Sequence, residues 1–355
     1  MTFEDTDFRQ EVLDLENPYD VKLVTEFLKP LGLTFDSADV EFTLIVYNLK
    51  GDIIGTGSHM CRTLKYVAVN PKYRDTTAFS LIVTSLTEKL LAIYKNTYVF
   101  TRPENAVYFK GLGYKLIATS EPLFCMLEFG FETIETYQNY LKTIKTENLC
   151  HSIASIVVNC NPFTLGHQYL IERAAEENDF LYLFVVEENK SVFPFDIRWK
   201  LIEKGISHLK NVLMVKGGDY IVSGCIFPAY FLKNELDSDI LHKQAELDIS
   251  IFAQYIVPIL GINKRYVGTE NYCKTTKAYN EAMYKILPGY GVDVIEITRK
   301  SIDDEYISAS LVRNHIKNNQ LENILNFLPL STKEFLLSNE SNEIKEKIKK
   351  SEGRH

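Results

Sequence analysis

The chain has 355 residues, 46% of them hydrophobic and 24% charged, a balance that suits a folded protein of about two domains and excludes a disordered one. A formal net charge of −8 argues against a general nucleic-acid binder and against a polybasic membrane anchor. No apolar run approaches the roughly 18 residues of a spanning helix, and the opening MTFEDTDF has neither a basic nor an apolar leader region. The sequence therefore predicts a cytoplasmic protein. Its six cysteines (Cys61, Cys125, Cys150, Cys160, Cys225 and Cys273) are scattered, which predicts reduced thiols and not a disulfide framework or a zinc site.

In chain order, Glu41–Tyr47 reads as a strand, Asn48–Asp52 as a turn and Ile53–Gly57 as the returning strand. Leu64–Val69 is a further strand, stopped by Asn70-Pro71. Phe79–Tyr94 has helical spacing, with Ile82, Leu86, Leu90 and Ile93 on one face. Tyr98–Phe100 reads as a strand and Asn105–Lys110 as a short helix broken by Gly111 and Gly113, and Lys115–Ile117 and Leu123–Phe129 are again strands. A polar helix over Glu132–Lys145 leads to a second unit, in which strands at Ile153–Asn159, Phe180–Val186, Val212–Val215, Arg265–Gly268 and Val292–Ile297 alternate with helices such as Gly166–Glu177 and Asp196–Leu209. That alternation predicts a parallel sheet with right-handed crossovers. The expected divisions are a first domain over 1–130, a connecting helix over 131–150, a second domain over 151–330 and a charged tail over 331–355.

Two segments point to chemistry. In Ile156–His167 a buried strand runs into an Asn/Pro turn, then into a helix whose first turn holds Gly166 and His167. Unpartnered N–H groups and the helix dipole suit such a turn to phosphate. Thr164 and His167, three residues apart, are candidate donors on one helical face, and Gly166 allows close approach to the backbone. Thr164-Leu165-Gly166-His167 resembles the [T/H]-x-G-H signature of the nucleotidylyltransferase superfamily. Ile307–Arg313 (ISASLVR) resembles that superfamily's second motif, with Ser308 as a helix cap, Ser310 as a hydroxyl donor and Arg313 as a planar cation suited to phosphate.

The resemblance implies a Rossmann-like domain that binds ATP and magnesium. His167, Thr164 and Arg313 would be catalytic, and Asn159, Asn161, Phe163, Gly166, Lys190, Gly268, Thr269, Ser308 and Ser310 would hold the nucleotide. No metal ligand is expected among the side chains.

Val67–Arg74 and Asn105–Tyr114 resemble two segments of GNAT-type acetyltransferases, which implies a GNAT-like α+β first domain. That family's glycine-rich pyrophosphate loop is replaced here by Arg74–Phe79 (RDTTAF), without either glycine and with Asp75 in its place, which argues against acetyl-coenzyme A. A coenzyme-A-like arm or a protein remains open as the ligand of this domain.

The order of the two domains, together with Phe193–Arg198, Gly218–Ser223, Phe227–Phe231, Gly268-Thr269-Glu270 and Tyr279-Asn280, is similar to the citrate lyase ligase family from about Tyr19 to Pro329. The resemblance implies an acid–thiol ligase. Acetate would be activated by ATP and passed to the thiol of a phosphoribosyl-dephospho-coenzyme A group on the citrate lyase acyl carrier subunit. Neither nucleic acid nor membrane would be a partner. Two alternatives stay open: an adenylyltransferase that joins AMP to a phosphorylated metabolite, and a GNAT-type acetyltransferase.

Overall fold

The computed structural model describes residues 8–147, 150–187, 191–223, 238–270, 274–302 and 305–350. It divides into two units, Met1–Thr136 and Tyr137–His355. In the first, β1 (Arg9–Val12), β2 (Phe42–Tyr47), β3 (Ile53–Met60), β4 (Thr63–Val69), β5 (Asn96–Thr101), β6 (Lys115–Ser120) and β7 (Phe124–Gly130) form one sheet in the order β1-β2-β3-β4-β5-β7-β6. Its one parallel pair is β4–β5. This is the expected GNAT-like arrangement.

The helix α1 (Pro18–Leu28) buries Val24 and Leu28 with Ile45 on one face of the sheet. On the other face α2 (Ala78–Leu91) buries Ile82, Leu86 and Leu90 with Leu44, Val46, Ile54 and Val99. The approach of α2 depends on a missing side chain: a Cβ on Gly57 would stand 2.4 Å from Ile82 Cγ2. Ile93, expected on the buried face, is 67% exposed, because the helix has ended at Leu91 and the spacing no longer applies. The short α3 (Ala106–Lys110) then precedes β6.

The helix α4 (Ile134–Thr143) leads into the second sheet. Its strands are β8 (Ile153–Val158), β9 (Phe180–Val185), β10 (Val212–Lys216), β11 (Lys264–Gly268) and β12 (Asp293–Ile297), all parallel, in the order β10-β9-β8-β11-β12. The sequences IASIVV and FLYLFV of β8 and β9 are almost wholly buried because helices cover both faces. One face carries α5 (Leu165–Glu176) and α6 (Phe195–Gly205). The opposite face carries α7 (Ser238–Ile251), a π-helical turn at Phe252–Ile256, α8 (Val257–Leu260) and α9 (Lys274–Ile286).

One sequence reading differs here. The helix expected over Asp196–Leu209 stops at Gly205, where a Cβ would meet Phe163 at 2.4 Å. The charged tail from Ser331, read as helical or frayed, forms α11 (Leu330–Leu337) and α12 (Asn342–Lys350), which bury Phe335, Leu336, Ile344 and Ile348 in the core beneath α5 and α6; α10 (Ala309–Lys317) precedes them. The charge lies on their outer faces, opposite these buried side chains. Among the described residues Cys61, Cys125, Cys150 and Cys160 are not joined in disulfides, and no helix is long and apolar enough to cross a membrane.

Candidate functional site

The second sheet has one switch point. From β8 the chain moves outward through β9 and β10 on one side, and through β11 and β12 on the other. Ligands of open parallel sheets bind at the carboxyl ends of strands at such a point. The β8–β11 register comprises Lys264↔Ala154 and Arg265↔Ser155, at the amino-terminal halves of both strands. Asn159–Thr164 come directly after β8 and Thr269 after β11, so they flank the crevice.

The turn after β8 is tightly held. Cys160 has φ +51 and Asn161-Pro162 is a cis peptide. The wholly buried Arg198 of α6 donates to Asn159 O at 2.9 Å, Val186 O at 2.7 Å and Phe193 O at 2.9 Å, which ties the ends of β8 and β9 together. Hydrogen bonds to a charged donor are worth about 1.5–3 kcal/mol each, so this one side chain contributes substantially to holding the turn. The Asn159 side chain exchanges hydrogen bonds with Ser191, at 3.0 and 3.1 Å. Asn161 Oδ1 accepts from Phe193 N at 3.0 Å, and its buried Nδ2 has no partner among the described residues. Burial pushes the Cys160 thiol well up, so it is not a nucleophile.

Thr164 caps α5 and His167 completes a capping box. The Thr164 N–H donates to His167 Nδ1 at 3.1 Å, and Thr164 Oγ1 lies 2.8 Å from the same nitrogen. A backbone N–H can only donate, so Nδ1 is the acceptor and the ring proton sits on Nε2. Burial, followed by the charges of Arg299 and Arg313, pushes the His167 pKa down to about 4. The imidazole is therefore neutral at physiological pH, with Nε2–H as its donor. Thr164, expected as a direct donor, is 1% exposed, and its hydroxyl lies against His167. Phe163, expected at the nucleotide, lies in the core, and its ring stacks on His167 at 6.3 Å.

The two motifs, far apart in sequence, meet. Ser308 caps α10 by accepting from Leu311 N at 3.1 Å. The buried Arg313 donates to Asn161 O and, through Nη2, to Ser310 Oγ at 3.1 Å. A Cβ on Gly166 would stand 3.1 Å from Ile307 O. The close approach that Gly166 permits is thus made by the second motif.

At the other wall, Gly268 ends β11 with open space where a Cβ would be, and its carbonyl accepts from Asn280 Nδ2 at 3.2 Å. Thr269 N donates to Ile297 O at 3.0 Å, and Thr269 Oγ1 accepts from Arg299 N at 3.2 Å. The predicted Lys190 lies outside the described residues. Sequence reading gave Arg198 no role beyond its place in Phe193–Arg198 and did not single out Arg299, whose one signal was a cation directly after a strand. The crevice thus gathers a neutral imidazole donor, the amino ends of α5 and α10 and two guanidinium groups, an arrangement suited to an anion that gains charge.

A family model described as the citrate lyase ligase C-terminal domain matches residues 153–336. The chain is 33% identical over 322 residues to the [citrate [pro-3S]-lyase] ligase of Haemophilus influenzae, covering 89% of this chain and 95% of that one. It is 33% identical to the Klebsiella pneumoniae enzyme of the same name, covering 88% and 92% of the two chains. Identity to the Escherichia coli (strain K12) enzyme is 31%, covering 88% and 89%.

Proposed function

The chain belongs to the citrate lyase ligase family, and from that premise we propose that it activates acetate with ATP and transfers the acetyl group to a thiol of the citrate lyase acyl carrier subunit. It is a ligase. An acetate oxygen attacks the α-phosphorus, that O–P bond forms as the bond to pyrophosphate breaks, and acetyl-adenylate results. The thiol of the carrier's phosphoribosyl-dephospho-coenzyme A group then attacks the acyl carbon. A carbon–sulfur bond forms, AMP leaves with the electron pair of the broken C–O bond, and the thiol proton passes to solvent.

The observation that carries this reading is the neutral His167, held by Thr164 with Nε2–H as its donor beside Arg313 at the switch point. As a neutral donor it hydrogen-bonds an α-phosphate oxygen without having to lose a proton. Arg313, with the amino end of α10, stabilises the departing pyrophosphate. Thr269 and Gly268 lie where the adenosine would rest, and Asn159 and Asn161 shape the turn beneath the phosphates. Among the described residues no group of three His, Cys, Asp or Glu could hold a metal. Magnesium enters as part of the MgATP substrate, held by phosphate oxygens and water. The site lies in a soluble, cytoplasmic enzyme in this reading.

The test is product analysis with MgATP, acetate and purified thiol-bearing carrier. The expected result is one acetyl thioester per AMP released. Release of ADP, or AMP joined to a phosphorylated metabolite, would contradict it.

A further inference from the structure

Arg299 belongs to neither motif, yet the fold brings it to the same place. It comes just after β12, and its N–H donates to Thr269 Oγ1 at 3.2 Å, which fastens it to the end of β11. The next residue, Lys300, accepts from Ile307 N at 3.2 Å, and Ile307 is the residue against which Gly166 packs. Lys300 Nζ also sits 5.6 Å from the ring centroid of Tyr169, in the first turns of α5. The segment 299–300 therefore borders the turn that presents His167.

The Arg299 side chain is 28% exposed and pairs through Nη2 with Glu270, whose side chain is 5% exposed. Its Nε and Nη1 make no hydrogen bond among the described residues. A guanidinium has five N–H donors in a rigid fork, so Glu270 can hold the group still and leave most of its donors unspent.

We propose that Arg299 is a second α-phosphate-binding residue, aimed by Glu270, which enters the site from the β11–β12 wall while Arg313 enters from α10. This inference rests on the reading of the crevice as an adenylyl-transfer site. The α-phosphate is the group shared by ATP, acetyl-adenylate and AMP, so Arg299 serves both half-reactions. Arg313, engaged with Ser310 and the Asn161 carbonyl, faces the phosphates that leave. The charge of Arg299 at the imidazole, which helps to keep His167 neutral, agrees with this placement.

The experiment compares Arg299→Ala, Arg299→Lys and Glu270→Gln with the wild-type full chain. It measures acetate-dependent ATP–pyrophosphate exchange, AMP affinity by calorimetry and thermal unfolding. Arg299→Ala is expected to lower exchange kcat by about 10²-fold, the scale of one transition-state donor, and to weaken AMP. Arg299→Lys should recover part of both, since the charge returns without the fork. Glu270→Gln, which removes the anchor and spares the cation, should lower kcat by less and leave the acetate KM unchanged. Exchange and AMP affinity at wild-type levels in Arg299→Ala overturn the proposal, as does a fall in melting temperature alone. If Arg299→Ala does not fold, Arg299→Lys decides by the same readouts. His167→Ala is run beside them: impaired exchange there with a silent Arg299 confines the failure to Arg299, whereas normal exchange in both overturns the site reading itself.

Discussion

In the first unit β4 and β5 pair in parallel over Thr63↔Tyr98 and Leu64↔Val99; in the second β8 and β11 pair over Ala154↔Lys264 and Ser155↔Arg265. Both sheets thus contain a parallel pair joined over two residues. The turns that leave these strands differ. After β4 the N–H of Thr76 is spent on Tyr73 O at 3.2 Å, and that of Ala78 meets Thr76 Oγ1 at 3.3 Å. Two N–H groups of the Arg74–Phe79 turn are thus engaged within it, and Asp75 adds negative charge. After β8 the Thr164 N–H is spent on His167, but this aims a further donor at the crevice, and Arg313 and Arg299 bring positive charge. Strand topology provides the place for a site, and the loops decide whether an anion is welcome there.

The sharpest contrast comes from His167→Ala. Exchange should fall by roughly 10²–10³ in kcat. Loss of half a capping box should cost only about 1 kcal/mol in thermal unfolding. A similar loss of stability with full activity would make His167 a cap and nothing more. Because the histidine is neutral down to about pH 4, the wild-type rate should show no inflection from it near pH 6.5.

Gly166→Ala probes the meeting of the two motifs. Its Cβ would press on Ile307 O at 3.1 Å, and the expected cost is about 1–3 kcal/mol in chemical denaturation. Exchange should fall by less than in His167→Ala, since the donors remain.

A smaller effect concerns the opposite face of the same sheet. Asp248 accepts from Val222 N at 2.8 Å and from Tyr279 Oη at 2.6 Å, and burial raises its pKa from 3.8 to about 6. The folded state holds this proton more tightly than the unfolded state. Its contribution to stability is therefore full below about pH 3.8 and is lost as pH rises through about 6. Melting curves of Asp248→Asn should lack that component, so its melting temperature should gain on the wild type between pH 4 and 7. A constant difference would contradict the assignment.

The smallest response is expected from the first unit. A ligand at 100 times its Kd adds about 2.7 kcal/mol to stability. Coenzyme A should give no such shift by differential scanning fluorimetry. A clear shift would show that the turn after β4 welcomes pyrophosphate after all.

The sequence made much of this legible. Thr164-Leu165-Gly166-His167 and Ile307–Arg313 stand out because they resemble the two nucleotidylyltransferase motifs. What local spacing lacked was the meeting of the motifs: Arg313 on the Asn161 carbonyl is a long-range contact. Arg198 stood out only as the end of a family-like segment, and it is a buried tie between strand ends. Phe163 read as part of a nucleotide turn because it adjoins Asn161-Pro162, and proved to be core packing under the histidine. Thr164 read as a donor at the helix end, and its hydroxyl lies against the imidazole. Each of these differences turns on where a side chain finds its partner, which spacing along the chain does not specify.

The most direct measurement is ATP–pyrophosphate exchange by the purified full chain with magnesium, in the presence and absence of acetate. Exchange that requires acetate is the expected result, since the first half-reaction needs a carboxylate at the α-phosphorus and nothing from the carrier. Exchange without acetate, or none with acetate present in protein that still binds ATP, would contradict the account of this crevice as a carboxylate-activating site.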